Sequence, residues 1–107
     1  GAYYHKGSSI SDRRLKKDIN NCTYGLSELN QLLPKEFRYE ENKEDAPLHH
    51  GFIAQDVETV MPKLVTGDSS EELEGHMTLD YKGISAVLVK AVQELSAKVT
   101  ALEAQIS

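Results

Sequence analysis

The clearest pattern in the chain lies at its end. Leu88, Val92, Leu95, Val99, Leu102 and Ile106 recur at spacings of 4, 3, 4, 3 and 4 residues. This is the heptad repeat of a coiled coil, with Val92, Val99 and Ile106 at a and Leu88, Leu95 and Leu102 at d. A seam confined to a and d is narrower than the apolar stripe of a helix that packs onto its own domain. Residues 81–107 are therefore expected to form a long helix that associates with copies of itself. β-branched residues at a with Leu at d lean towards two strands in parallel coils. Three heptads are too few to fix the oligomer alone, so the globular part must contribute.

Residues 11–80 carry shorter and mixed patterns. Leu15 to Ile19 reads as extended. Thr23 is a candidate cap for a helix reaching Leu33, with Leu26, Leu29 and Leu33 on one face and Pro34 as its stop. Lys35 to Glu40 alternates with period two, which places Phe37 and Tyr39 together on a strand face. Glu41–Pro47 is a charged loop, His49–Ala54 a second strand, and Gln55–Met61 a short helix stopped by Pro62. Leu64–Gly67 and His76–Asp80 read as strands flanking an acidic loop, Asp68–Gly75. Helices and strands without a regular βαβ repeat predict an α+β fold: a small mixed globular unit followed by a long C-terminal helix forming a coiled coil. Residues 1–10 are rich in Gly, Ser and Tyr without a period, and read as the end of something upstream.

Composition narrows the function. The 107 residues suit one small unit, and a formal charge of −5 argues against a general nucleic-acid binder. The single cysteine, Cys22, leaves no intrachain disulfide framework and is expected to be a small buried residue. No stretch is long and apolar enough to span a membrane, and Gly1–Lys6 lacks the apolar core of a signal peptide. His5, His49, His50 and His76 match no metal-ligand spacing, and no glycine-rich phosphate loop is present. No metal or other cofactor is expected. The His49/His50 pair reads as an ordinary strand start whose side chains face opposite ways.

The remaining candidate chemistry is Ser11 with Lys16. A serine and a lysine can serve as nucleophile and base without a histidine. The lysine must be neutral to act, which desolvation and the neighbouring cations Arg13, Arg14 and Lys17 would favour. Spacing is unhelpful, because residues five apart face opposite ways on a strand and sit about 140° apart on a helix. The pair therefore needs a bend between its members, or separate subunits.

The string Ser11-Asp12-Arg13-Arg14-Leu15-Lys16-Lys17-Asp18-Ile19 resembles the opening of the C-terminal intramolecular chaperone domains of phage tailspikes and tail fibres, the endosialidase-type S74 peptidases. Three further segments agree in order: the Leu26–Leu33 helix leading to Phe37-Arg38-Tyr39, then Gly51–Val57, then Leu79-Asp80-Tyr81 leading into the apolar helix. The resemblance spans about residues 11–100. It implies a homotrimer, and so a trimeric coil rather than a dimeric one. It also implies a domain that registers the upstream fibre segment of its own polypeptide, commonly a triple β-helix, in the host cytoplasm during virion assembly. Release follows by autoproteolysis next to Ser11, with Ser11 as nucleophile, Lys16 as base, and the two expected to meet only when three chains assemble. The family is cut at the Ser–Asp junction, whereas ring size favours the Ile10–Ser11 bond, so the cleavage site is Ile10, Ser11 and Asp12. Asp12 and Arg14 match the motif without an assignable catalytic role. No nucleic-acid or membrane partner is implied. The division expected is 1–10 for the end of the stalk, 11–80 for the chaperone and autoprotease core, and 81–107 for the coil. Many phage members carry long arms, for which this chain offers only Glu41–Pro47 and Asp68–Gly75.

Two readings compete: a self-cleaving trimeric chaperone, and a non-catalytic trimerisation foot that stays attached. An enzyme acting on an outside substrate ranks below both, since no substrate pocket is legible.

Overall fold

The computed structural model describes residues 4–5, 8–67 and 76–107. Its main element is set at Asp80, whose carboxylate accepts the Gly83 N–H at 2.9 Å and caps the helix that follows. That helix, α3, runs from Tyr81–Ile106, and after Gly83 it contains neither Gly nor Pro to interrupt it. Its 26 residues span about 39 Å. The radius of gyration, 17.8 Å, exceeds the roughly 13 Å of a compact chain of this size, because the second half of the helix leaves the core.

α3 presents two stripes. Ile84, Val87 and Ala91 are buried against the rest of the chain. The heptad positions occupy a neighbouring face and are all exposed, from 47% at Val99 to 85% at Ile106. The repeat read from the sequence is thus not the stripe that packs onto the chain's own core.

The core is small. Val57, Met61 and Val87 are its fully buried centre, ringed by half-buried Tyr24, Leu29, Phe52, Leu64 and Leu79. Val57 and Met61 come from α2, Ala54–Glu58, and the turn after it, where the N–H groups of Val60 and Met61 both donate to the Val57 carbonyl. Pro62 then opens a 3-10 turn, Pro62–Leu64, as a residue without an N–H is well suited to do. Cys22, expected to be buried, is half-buried at the edge of this cluster, with its Sγ 3.4 Å from the Tyr24 carbonyl.

Several predicted elements are shorter than their patterns. The run expected to be extended over Leu15–Ile19 is so at Lys16, but Leu15 closes a 3-10 turn, Arg13–Leu15, and Asp18 takes a positive φ of 53° that breaks the run. The helix expected from Thr23 to Leu33 is α1, Leu26–Leu29, with Gly25 rather than Thr23 at its cap. The Gly25 N–H donates to the Glu28 carboxylate at 2.7 Å, and the Leu26 N–H to Glu94 of α3 at 3.1 Å. A Cβ at Gly25 would meet that Glu94 carboxylate, the flexible end of a side chain, so Glu94 would have to shift away from the Leu26 N–H.

The described strands pair two by two. β1 (Tyr4–His5) lies antiparallel to β2 (Ser8–Ser9), and β3 (Lys35–Phe37) to β4 (His49–Gly51). β5 (Val65–Thr66) pairs with β6 (Thr78–Leu79). β3 stops before the predicted Glu40 because the Tyr39 N–H is taken by Asn42 Oδ1 at 2.9 Å. Arg38 then closes the charged loop by donating to the Ala46 carbonyl at 2.6 Å. Gly67 leaves β5 at a φ of 98°, a conformation suited to glycine; the acidic loop predicted at 68–75 falls outside the described residues. The fold is thus a small mixed α/β unit with one long C-terminal helix.

Met61→Ala is expected to cost about 2–5 kcal/mol, as large-to-small changes at buried sites do. Urea unfolding checks it: a loss under about 1 kcal/mol would mean that Met61 is not at the centre of the core.

Candidate functional site

The site is built by six residues of local chain. Asp12 is extended, with φ −68° and ψ 132°, and its Oδ1 accepts the Arg14 N–H at 2.8 Å. This caps the 3-10 turn Arg13–Leu15, which closes through Leu15 N–H to the Asp12 carbonyl and Lys16 N–H to the Arg13 carbonyl. The Arg14 guanidinium folds back onto the same carboxylate, with Nη2 at 2.8 Å from Oδ2 and Nε at 3.2 Å from both oxygens. Lys16 leaves the turn extended. The chain has by then reversed far enough for Lys16 Nζ to donate to Ser11 Oγ at 2.6 Å.

A strand or an α-helix would separate these two side chains; one 3-10 turn joins them. The bend expected from assembly of three chains is made here inside a single chain. Asp12 and Arg14, without an assigned role in the sequence, are the residues that hold the turn. Both Ser11 and Lys16 are exposed. Beside them lies a cleft of about 270 Å³ lined by Ile10, Asp12, Leu15 and Lys16. The expected cleavage residues Ile10 and Asp12 thus border the same cleft as the lysine.

The electrostatics follow from the geometry. The Arg14 guanidinium and its backbone N–H hold the Asp12 carboxyl below the usual carboxylate range. The bonds from Asp12 to the turn are accordingly at full strength above that range, and are lost as the pH falls through the lowered value.

The other candidates have ordinary roles. His49 stacks on Phe37 with ring centroids 5.9 Å apart and meets Tyr39 edge-on at 5.1 Å, while His50, on the opposite face, lies 3.3 Å from Glu36. Among the described residues no group of three His, Cys, Asp or Glu side chains is placed to hold a metal ion, and no helix is long and apolar enough to cross a membrane. A contact absent from the sequence reading is Lys82 Nζ to Ser9 Oγ at 2.7 Å. Its partners are 73 residues apart, so no local pattern announces it.

The profile of the Peptidase_S74 family, described as "Chaperone of endosialidase", matches residues 11–66. The match begins at Ser11. The chain is 34% identical over 107 residues to a probable tail fiber protein of Escherichia phage Phieco32, covering 98% of this chain and 15% of that protein. It is 30% identical over 115 residues to the long tail fiber protein Gp37 of Salmonella phage S16, again covering 15% of the relative. A third relative, long tail fiber protein Gp37 of Escherichia phage AR1, is 33% identical over 89 residues and matched over 8% of its length. The chain therefore spans only a small part of each of these relatives.

If Arg14 holds Asp12 as described, Arg14→Ala raises the pH at which Asp12 titrates. Carbon NMR of the Asp12 carboxyl reads this directly. An unchanged midpoint would show that the pair does not exist in solution.

Proposed function

The chain belongs to the chaperone-of-endosialidase family, and we propose that it is the intramolecular chaperone of a phage tail fibre or tailspike that releases itself at Ser11. The observation that carries this reading is the 2.6 Å contact between Lys16 Nζ and Ser11 Oγ at the boundary between the β1–β2 hairpin and the globular unit. With Lys16 neutral, the same contact lets the Ser11 hydroxyl donate to Nζ, the arrangement a general base needs.

The step favoured by ring size is attack of Ser11 Oγ on the Ile10 carbonyl carbon through a five-membered ring; attack on its own carbonyl would need a four-membered one. The Oγ proton passes to Lys16 and the Oγ–C bond forms. The Ile10–Ser11 C–N bond then breaks as that proton is returned to the Ser11 nitrogen. Water hydrolyses the resulting ester, leaving an Ile10 carboxylate and a free Ser11 hydroxyl. Residues 1–10 would remain with the fibre, and residues 11–80 and 81–107 would leave as core and coil. In the single chain water reaches both members of the pair, so the cover that a protease site requires falls to neighbouring subunits or to the upstream fibre.

Assembly rests on the exposed seam. Leu88, Val92, Leu95, Val99, Leu102 and Ile106 form a continuous apolar stripe that the chain itself does not cover, on a helix already fixed at its base by Ile84, Val87 and Ala91. Three such helices side by side would bury it, and would hold three upstream segments in register during virion assembly in the host cytoplasm. The tail-fibre relatives support this setting.

Two experiments test the reading. Precursor refolded from urea is expected to yield a fragment beginning at Ser11, seen by mass spectrometry, while Ser11→Ala and Lys16→Ala stay whole. No cleavage in any chain would leave the attached trimerisation foot as the function. Sedimentation is expected to show a trimer that Leu95→Asp dissociates into folded monomers. A dimer, or a trimer indifferent to Leu95→Asp, would refute the coil assignment.

A further inference from the structure

The Ile10–Ser11 peptide lies between two lysine-held serines. On one side Lys16 reaches Ser11, and on the other Lys82 Nζ donates to Ser9 Oγ at 2.7 Å. Lys82 stands in the first turn of α3, the best-anchored turn of the helix. The Asp80 N–H donates to the Leu64 carbonyl at 2.8 Å, Asp80 caps Gly83, and the Tyr81 hydroxyl accepts the Phe52 N–H at 3.3 Å. Ser85 Oγ donates to the Lys82 carbonyl at 2.6 Å. Ser9 belongs to β2, paired with Tyr4 of β1, and is followed directly by half-buried Ile10 in the cleft.

Folding alone gives little reason for a lysine at position 82. A cation in the first turn opposes the helix dipole, and the Lys82 side chain is exposed, packed into no core. Among the described residues, what it reaches is Ser9, the residue before Ile10. We propose that Lys82 is a positioning residue for self-cleavage: it ties the strand upstream of the junction to the base of the oligomerising helix, and so fixes the Ile10 carbonyl against Ser11 Oγ. The proposal rests on the reading that the chain cleaves at Ser11. Its consequence is mechanical. The helix expected to associate is also the element that holds the departing strand, so ordering of α3 and placement of the scissile carbonyl are linked by one side chain.

Magnitudes separate this role from a structural one. A single exposed hydrogen bond adds little to stability, so removing it leaves the melting temperature almost unchanged. A displacement of about 1 Å at a reacting carbonyl, by contrast, slows a reaction by up to about a hundredfold.

The test follows cleavage of the full chain after refolding from urea, with melting temperature and sedimentation measured on the same variants in a Ser11→Ala background. Lys82→Met is expected to slow cleavage by about tenfold or more without changing melting or assembly. Lys82→Arg, which still reaches Ser9, is expected to recover most of the rate. Ser9→Ala, a small change at an exposed position, should slow cleavage as Lys82→Met does, and the two together should be no slower than either alone. Hydrogen exchange at residues 8–10 should quicken in Ser11→Ala/Lys82→Met relative to Ser11→Ala. If wild type cleaves and Lys82→Met cleaves equally fast, the role of Lys82 is overturned while the function stands. If the Lys82→Met defect comes with a lower melting temperature and Ser9→Ala has none, the lysine is structural and the proposal fails. A wild-type chain that stays whole overturns the cleavage reading and the role of Lys82 with it.

Discussion

The first four turns of α3 hold this chain together. Five separated segments are fixed to them or to their cap by polar bonds: Ser9 through Lys82, the Cys22 carbonyl through Lys90, the Leu26 N–H through Glu94, the Phe52 N–H through Tyr81, and the Leu64 carbonyl through the Asp80 N–H. The apolar contribution comes from the same stretch, where Val87 joins Val57 and Met61. The three paired-strand units have two or three residues per strand, and a lone hairpin is at best marginally stable in water. Each therefore depends on its surroundings: β5 lies against α2, and the Phe52 N–H just after β4 is held by Tyr81 of α3.

This explains which features were legible in the sequence. The long helix was, because its heptads are written in residues three or four apart; its cap, Asp80, was read only as the end of a strand. The pairing of Phe37 with Tyr39 and the opposite orientations of His49 and His50 were legible for the same local reason, strand alternation. α1 was not. Its start depends on Glu94, 68 residues away, and on a glycine that makes room for that carboxylate. A reading confined to neighbours favours Thr23 as the cap, since it cannot see a carboxylate supplied by another helix. The core stripe of α3 was hidden too, because Ile84, Val87 and Ala91 lie beside the stronger heptad signal.

The site shows a different limit. Ser11 and Lys16 were legible as residues, while their meeting was not, because strand and α-helix spacing both set them apart. The signal was present in Asp12. An aspartate whose side chain accepts the N–H two residues on is a common way to start a turn, and Arg14 is placed to lock it. The motif thus contains two kinds of residue: a pair able to react, and a pair that bends the chain. Ser11–Lys16 is one exposed hydrogen bond, and such bonds contribute only about 0.5–1.5 kcal/mol. It cannot hold a tight turn by itself. The turn is instead made by the Asp12 cap, the two backbone bonds that close it and the Arg14 fork, leaving Ser11 and Lys16 free of structural duty.

That separation bears on control. If the bend came from assembly, an unassembled chain would be inert because its reactive groups were apart. Here Ser11 Oγ and Lys16 Nζ already touch in one chain, so under the proposed cleavage their mutual geometry cannot be the step that waits. What the isolated chain lacks is cover, since water reaches both groups, and burial is what favours a neutral lysine. The apolar surface left open, from Leu15 and Ile19 near the turn to the seam on α3, is the surface that association would remove from water. Association can therefore change the solvation of the pair without moving it. If cleavage waits on cover, as the proposed function requires, its geometry must be built in advance, and the turn held by Asp12 and Arg14 supplies it.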